Sequence, residues 1–338
     1  MALTRITDKQ VTFKLDVKNY TWAGFFAVWQ AGGAATTDTQ RVMANDGATI
    51  ARNNFTTGSQ ILHVDGTYSI DAARILRVSG TSDTSPTNLG LSLTEEESKP
   101  LAGHTVCAQF HAKKSATWTG TTINARIQYS IEQQQPIISA DGTYTSGHTV
   151  AAQQNIALTT ACNAEDAPYY FSAAIPSNAV NVALVITVPW SGTAGNSDYI
   201  EIESVALVIG TTAKAVERPS FSELFQLAKT RRQTSYPYGA PRGAVTEQGS
   251  LSLIAASTAA NYAFIGDVRF NPPMANTPQF LFQNTLSGTE SRLTDTVTQT
   301  SINGFAFNLT NAGVSITNNA AVTDGRRYLC HWTAISLV

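Results

Sequence analysis

Two tryptophans stand in loops where a ligand could reach them. Trp118 lies in the run KKSATWTGTT and Trp190 in VPWSGTAGNSD, both rich in small polar residues and glycine. A sugar offers hydroxyls and weakly apolar faces, so sites that hold it pair an aromatic ring with amide and carboxylate side chains in exposed loops. Asn196 and Asp198, close after Trp190, supply such partners, which makes Trp118, Trp190, Asn196 and Asp198 candidate carbohydrate-binding residues. The alternative for each ring is to fold back onto the core as a lid, since tryptophan is highly buried on average. Trp22, Trp29 and Trp332 read as core. A second polar stretch, LSGTESRLTDTVTQ from Leu286 to Gln299, carries Glu290, Arg292 and Asp295, either as a ligand-facing loop or as a solvated hairpin.

Bond-breaking chemistry finds little to work with. Acyl transfer needs an activated serine or cysteine beside a histidine and a carboxylate. No G-x-S-x-G occurs, and the five histidines, His63, His104, His111, His148 and His331, flank no nucleophile motif. Phosphate-binding loops, H-E-x-x-H and dinucleotide glycine patterns are absent as well. Glu95, Glu96 and Glu97 form the densest acidic cluster, and three carboxylates in a row before Pro100 predict a solvated loop rather than the opposed pair that cleaves glycosides. Asp65 and Asp141 each open an Asp-Gly-Thr-Tyr turn; a calcium-ligand role is the alternative to a turn role. No catalytic residue, metal site or cofactor is expected.

The elements that must position these side chains are strands. Only 14% of the 338 residues are charged, against about 25% in average soluble proteins. Small polar and β-branched residues fill the difference, and they suit strands and turns. The formal net charge of -2 argues against a broad grip on nucleic acid. Cys107, Cys162 and Cys330 are odd in number and far apart, which argues against a disulfide framework or a zinc site. No uninterrupted apolar run is long enough to span a bilayer, and Tyr20 to Ala31 reads as a buried strand rather than an export signal.

Short alternating segments separated by Asp-Gly, Asn-Asp-Gly and proline turns predict an all-β sandwich from Asp16 onward, with strands at Asn19–Gln30, Ile61–Leu62, Tyr68–Ser79, Asn88–Thr94, His104–Lys113, Ile123–Glu132, Asn155–Thr160, Tyr169–Ala174, Val180–Val188 and Tyr199–Ile209. In the last of these the step from Ile202 to Val205 breaks the alternation and predicts a bulge near Ser204. After Pro219 the period turns helical. Ser220 or Ser222 can cap, Glu223 supports the first turn, Phe221, Leu224, Phe225 and Ala228 recur on one face, and Lys229, Arg231 and Arg232 fall near the C-terminal end before Pro237 and Gly239. That apolar face must bury against its own domain or against another copy. Beyond it, Phe264–Phe270, Gln279–Gln283, Gly304–Leu309, Val314–Thr317 and Tyr328–Leu337 predict a smaller β unit.

A strand ending in Gly210, then Glu217-Arg218-Pro219 and Glu223-Leu224 opening a short basic helix that closes on Ser235-Tyr236-Pro237, resembles the junction of tailed-bacteriophage fibre and receptor-binding proteins. Leu101-Ala102-Gly103 leading into His104–Lys114 resembles a strand of carbohydrate-binding jelly rolls. Phe270-Asn271-Pro272-Pro273-Met274 and the closing Tyr328–Ala334 resemble the distal β domain of the same phage proteins. The helix lacks the Cys and Tyr-Tyr pair common in such junctions, which marks a distant relative.

The resemblance implies an order of parts: 1–15 as a possible attachment segment, 16–213 as a jelly-roll β-sandwich, 214–239 as a helical linker and 240–338 as a C-terminal β domain. It implies a non-enzymatic fibre or spike protein of the virion, assembled in the host cytoplasm and acting outside it. Its partners would be host-surface carbohydrate, other virion proteins and further copies of itself as a homotrimer, with no nucleic acid and no membrane insertion. The helix face Phe221, Leu224, Phe225 and Ala228 would then be the oligomer contact, and Glu290, Arg292 and Asp295 the distal receptor loop. A purely structural capsid or tail decoration protein is the alternative, and a polysaccharide depolymerase ranks below it.

Overall fold

The structure, a computed structural model, describes residues 19–21, 34–36, 41–43, 49–52, 59–69, 71–77, 86–132, 147–190, 198–216, 218–237, 240 and 243–336. The expected attachment segment, most of the expected strand at Asn19–Gln30, Trp22, Trp29 and Asp141 lie outside these residues.

The chain is all-β, and among the described residues its helices are short. In order, the first strands are β1 (Ala34–Thr36), β2 (Arg41–Met43), β3 (Thr49–Arg52), β4 (Ser59–Val64), β5 (Ala72–Arg77), β6 (Thr87–Ser92), β7 (Thr105–Lys114), β8 (Thr122–Ser130), β9 (His148–Ala157), β10 (Tyr169–Ala174), β11 (Asn181–Val188) and β12 (Tyr199–Ile209). They build two antiparallel six-stranded sheets, one ordered β1-β4-β5-β12-β7-β10 and the other β2-β3-β6-β11-β8-β9. Side chains on one strand alternate between faces. Ile75, Val106, Ala108, Phe110, Ile200 and Ile202 therefore point from the first sheet into a shared core, where Leu89, Leu91, Ile123, Ile127, Leu184 and Ile186 meet them from the second.

The bulge falls where the alternation broke. Strand β12 loses register against β7 between Glu203 and Ala206, and Ser204 carries the turn with φ 52°. One extra residue restores the inward aim, so Ile200 and Ile202 before it and Val205 and Leu207 after it all reach the core. Asn19 fills the gap left in the ladder: its carboxamide oxygen accepts from the Leu207 N–H at 3.1 Å and its nitrogen donates to the Val205 carbonyl at 3.0 Å.

Two expectations about the acidic run and the helix end need correction. Glu95–Ser98 is a short helix, α1, rather than a solvated loop. Thr94 caps it, with a reciprocal bond between Thr94 and Glu97 at each end of the box. The second helix, α2 (Phe221–Lys229), begins at Ser220 with the same device, as its sequence predicts, but ends sooner than expected. Arg231 is buried, not a solvated cation at the helix end; its guanidinium donates to the Glu97 carboxylate at 2.6 Å and to the Ser92 carbonyl at 3.3 Å. Arg232 opens strand β13 (Arg232–Thr234). A buried guanidinium needs a carboxylate partner, and Glu97 was available only because α1 turned it inward.

The remaining strands are β14 (Leu251–Ile254), β15 (Asn261–Arg269), β16 (Gln279–Gln283), β17 (Arg292–Asp295), β18 (Thr300–Phe307), β19 (Gly313–Asn319) and β20 (Arg327–Ile335). They form a third antiparallel sheet around β20, with β14 and β16 as further partners of that strand, over a separate core that includes Phe264, Phe282, Leu293, Ile316 and Tyr328. The polar run from Leu286 to Gln299, expected as a loop or hairpin, contributes β17, because Leu293 and Thr294 are buried.

Candidate functional site

The bulge that keeps β12 apolar inside makes it polar outside. Glu201 and Glu203 project from the outer face of the first sheet, beside Gln109, His111 and Lys113 of β7, and both carboxylates are almost fully buried. Buried charge must be paired. Glu201 pairs with Arg74 and, at 2.7 Å, with Lys113. Glu203 is met by backbone instead: the N–H groups of Thr67, Tyr68 and Ser69 donate to it at 3.0, 3.2 and 2.9 Å, and the Cys162 thiol at 3.5 Å. Gly66 permits that approach, since a Cβ there would lie 2.1 Å from the Glu203 carboxylate.

The turn so anchored holds Tyr68 over the sheet. Its ring stands edge-on to His111, with centroids 5.3 Å apart, and stays 41% exposed. Opposite, Gln109 clamps the segment after β12 by exchanging two 2.7 Å bonds with the Lys214 backbone. Between these walls runs an open cleft of about 730 Å³, lined by Tyr68, Gln109, His111, Glu165, Asp166 and Lys214 among others. His111 is 7% exposed and its Nδ1 is buried with no hydrogen-bond partner among the described residues. Burial holds this imidazole below its ordinary pKa, against the opposing pull of the Glu203 charge and of Asn163.

Chemically the cleft offers an aromatic face, a neutral imidazole, two carboxylates and an ammonium. Nucleophilic thiol chemistry is disfavoured: burial, reinforced by the Glu203 charge, pushes the Cys162 thiol up to about 11, and burial raises Cys107 to about 11 and Cys330 to about 12. Thiols held so high are protonated at neutral pH and inert. Among the described residues no three His, Cys, Asp or Glu side chains are grouped to hold a metal ion.

The residues singled out in the sequence fall elsewhere. Trp118 and Trp190 are 2% and 4% exposed and belong to the sandwich core, so the expectation of accessible stacking rings is corrected in favour of lids. The Trp190 indole donates to Thr87 Oγ1 at 2.8 Å, and Trp118 packs so closely on Gly120 that a Cβ there would meet its ring at 2.1 Å. Asp198 is buried, and Asn196 lies outside the described residues. In the distal stretch Asp295 is buried and structural rather than ligand-facing: it accepts from the Val297 and Thr298 N–H groups and pairs with Arg326 at 2.8 Å. Glu290 is exposed and bridges β-fashion to Gln283, and Arg292 opens β17. Of the helix face, Leu224 and Ala228 bury in the sandwich core of their own chain, Phe225 packs beside them, and Phe221 remains 54% exposed.

No family model matches the chain, and no curated protein matches it. Among solved structures it is similar to the enzymatically active domain of tailspike protein 4 of bacteriophage CBA120, with 13% identity, TM-score 0.31 and coverage of 48% of this chain and 19% of that one. It is similar to a xylan-binding domain of carbohydrate-binding module family 22, with 13% identity, TM-score 0.27 and coverage of 46% and 85%. A third is the K2 cleaved adhesin domain of Lys-gingipain, with 11% identity, TM-score 0.31 and coverage of 52% and 98%. The chain thus spans 19% of the tailspike domain's length.

Proposed function

We propose that the protein is a non-enzymatic adhesin of the phage fibre or spike type, which holds a host-surface carbohydrate in the Tyr68–His111 cleft. One observation carries this reading. An exposed tyrosine is fixed by a buried carboxylate over a cleft whose polar groups are amide, imidazole, carboxylate and ammonium, the set that a wet, hydroxyl-rich ligand requires. The sequence resemblance to phage junctions supports a virion as the setting of such a sandwich, and thiols held protonated by burial favour adhesion over thiol chemistry. Phe221 and Leu227, 54% and 38% exposed on α2, support a role for this helix in a homotrimer.

The test is a glycan array of bacterial surface polysaccharides probed with the full chain, followed by incubation with each positive glycan and a reducing-end assay. Binding without release of reducing ends is expected. Release would replace adhesion by depolymerisation. A silent array, with particles that lose stability when the protein is deleted, would replace it by decoration.

A further inference from the structure

We propose a second binding site, for an anionic sugar unit, in the cleft between α2 and the third sheet. This cleft has a volume of about 360 Å³ and is lined by Phe225 and Lys229 of α2, Arg269 at the end of β15, and Trp332 of β20, with Gln233 and Asn271 between them. Among the described residues no carboxylate lines it. Lys229 and Arg269 make no ion pair among the described residues. Several other cations are paired, Arg74 and Lys113 with Glu201, Arg218 with Asp71, Arg231 with Glu97 and Arg326 with Asp295, and Lys114 and Lys214 donate to backbone carbonyls. In a chain of net charge -2, two unmatched cations lining one cleft are not the residue of a basic surface.

Nor is Lys229 needed to cap its helix. The Leu227 carbonyl accepts from the Thr230 N–H and hydroxyl, the Ala228 carbonyl from the Arg231 N–H, and the Lys229 carbonyl from Gln233 Nε2 at 2.9 Å. Gln233 is itself saturated, donating also to the Pro272 carbonyl and accepting from the Asn271 N–H, so it fixes the wall and does not serve as a ligand group. The ammonium of Lys229 lies 5.1 Å from the centroid of the Phe225 ring, and Trp332, half-buried and stacked on Phe280, has an indole N–H without a partner among the described residues. Two cations for an anionic substituent, an indole face and a spare donor fit a sugar that bears a carboxylate or a phosphate.

Calorimetric titration of the full chain with trigalacturonic acid, mannose 6-phosphate and neutral maltotriose tests this. The first two separate the carboxylate source from the phosphate source. Saturable binding of at least one is expected, weakening with added salt and about tenfold in Arg269→Ala and in Lys229→Met, which corresponds to about 1.4 kcal/mol. Arg269→Lys keeps the charge and is expected to retain most of the binding, and Tyr68→Ala to leave it unchanged, so that failure here is separable from failure of the first cleft. The proposal is overturned if neither anionic probe binds, if binding survives undiminished in Arg269→Ala and Lys229→Met, or if Tyr68→Ala abolishes it.

Discussion

Replacing Glu203 by glutamine would separate the scaffold from the site. The native carboxylate accepts N–H groups from Thr67, Tyr68 and Ser69, and each such bond to a charged acceptor contributes about 1.5–3 kcal/mol. Glutamine keeps one acceptor oxygen and turns an NH2 toward the remaining donors. Thr67 and Tyr68 are exposed, so water can reach part of what is lost. The net cost should therefore be about 2–3 kcal/mol, a fall of roughly 4–12 °C in the thermal midpoint of a domain this size. The larger effect is on the ligand, because the freed turn no longer holds Tyr68 edge-on to His111. Glu201→Gln is the matched control: it sits on the same strand and is as buried, but it pairs with Arg74 and Lys113 and does not touch the turn. Scanning fluorimetry and glycan titration on both variants should show two lowered midpoints and one lost affinity. Undiminished glycan binding by Glu203→Gln would refute the claim that this carboxylate organises the cleft.

Further outcomes follow from the same structure. Gly66→Ala should destabilise the sandwich and abolish glycan binding, since its Cβ would lie 2.1 Å from Glu203 and 2.3 Å from the Ser69 carbonyl; a wild-type midpoint would contradict the packing described. Leu224→Ala should cost about 2–5 kcal/mol as a buried large-to-small change, whereas Phe221→Ser should cost less than about 0.5 kcal/mol in the monomer and, if α2 is the trimer contact, shift the sedimentation coefficient. His111 and His331 both have their pKa lowered by burial, so as pH falls from 7 through about 6.5 the unfolded chain takes up protons that the folded chain refuses. Urea midpoints should hold above that range and decline below it; a midpoint that rises between pH 7 and 5.5 would contradict the burial of these imidazoles as neutral groups.

Much of the scaffold was legible because alternation reports which face is buried. Tyr169–Ala174, Tyr199–Ile209 and Gln279–Gln283 have the limits that their sequence predicts, and the broken step at Ser204 located the bulge. Short strands without a full alternation, such as Arg232–Thr234 and Leu251–Ile254, carried no such signal. The candidate cleft was harder to see. The Asp65–Tyr68 turn stands out in the sequence, and Glu201 and Glu203 are conspicuous charges in an apolar strand, but Thr67 and Glu203 are 136 positions apart. Only the pairing of β5 with β12 brings them together. The tryptophans misled for a related reason: loop composition predicts exposure, while Trp190 is drawn inward by a hydroxyl of Thr87 that lies 103 positions away.

Tyr68 is the ring that the proposed adhesion needs most. The affinity of the strongest array glycan for wild type and for Tyr68→Ala, measured by titration beside Trp118→Phe, tests it directly. A loss of about tenfold or more in Tyr68→Ala, about 1.4 kcal/mol, with affinity kept in a folded Trp118→Phe, is the predicted result. Equal affinity in wild type and Tyr68→Ala would place the ligand elsewhere and contradict the cleft as the site of adhesion.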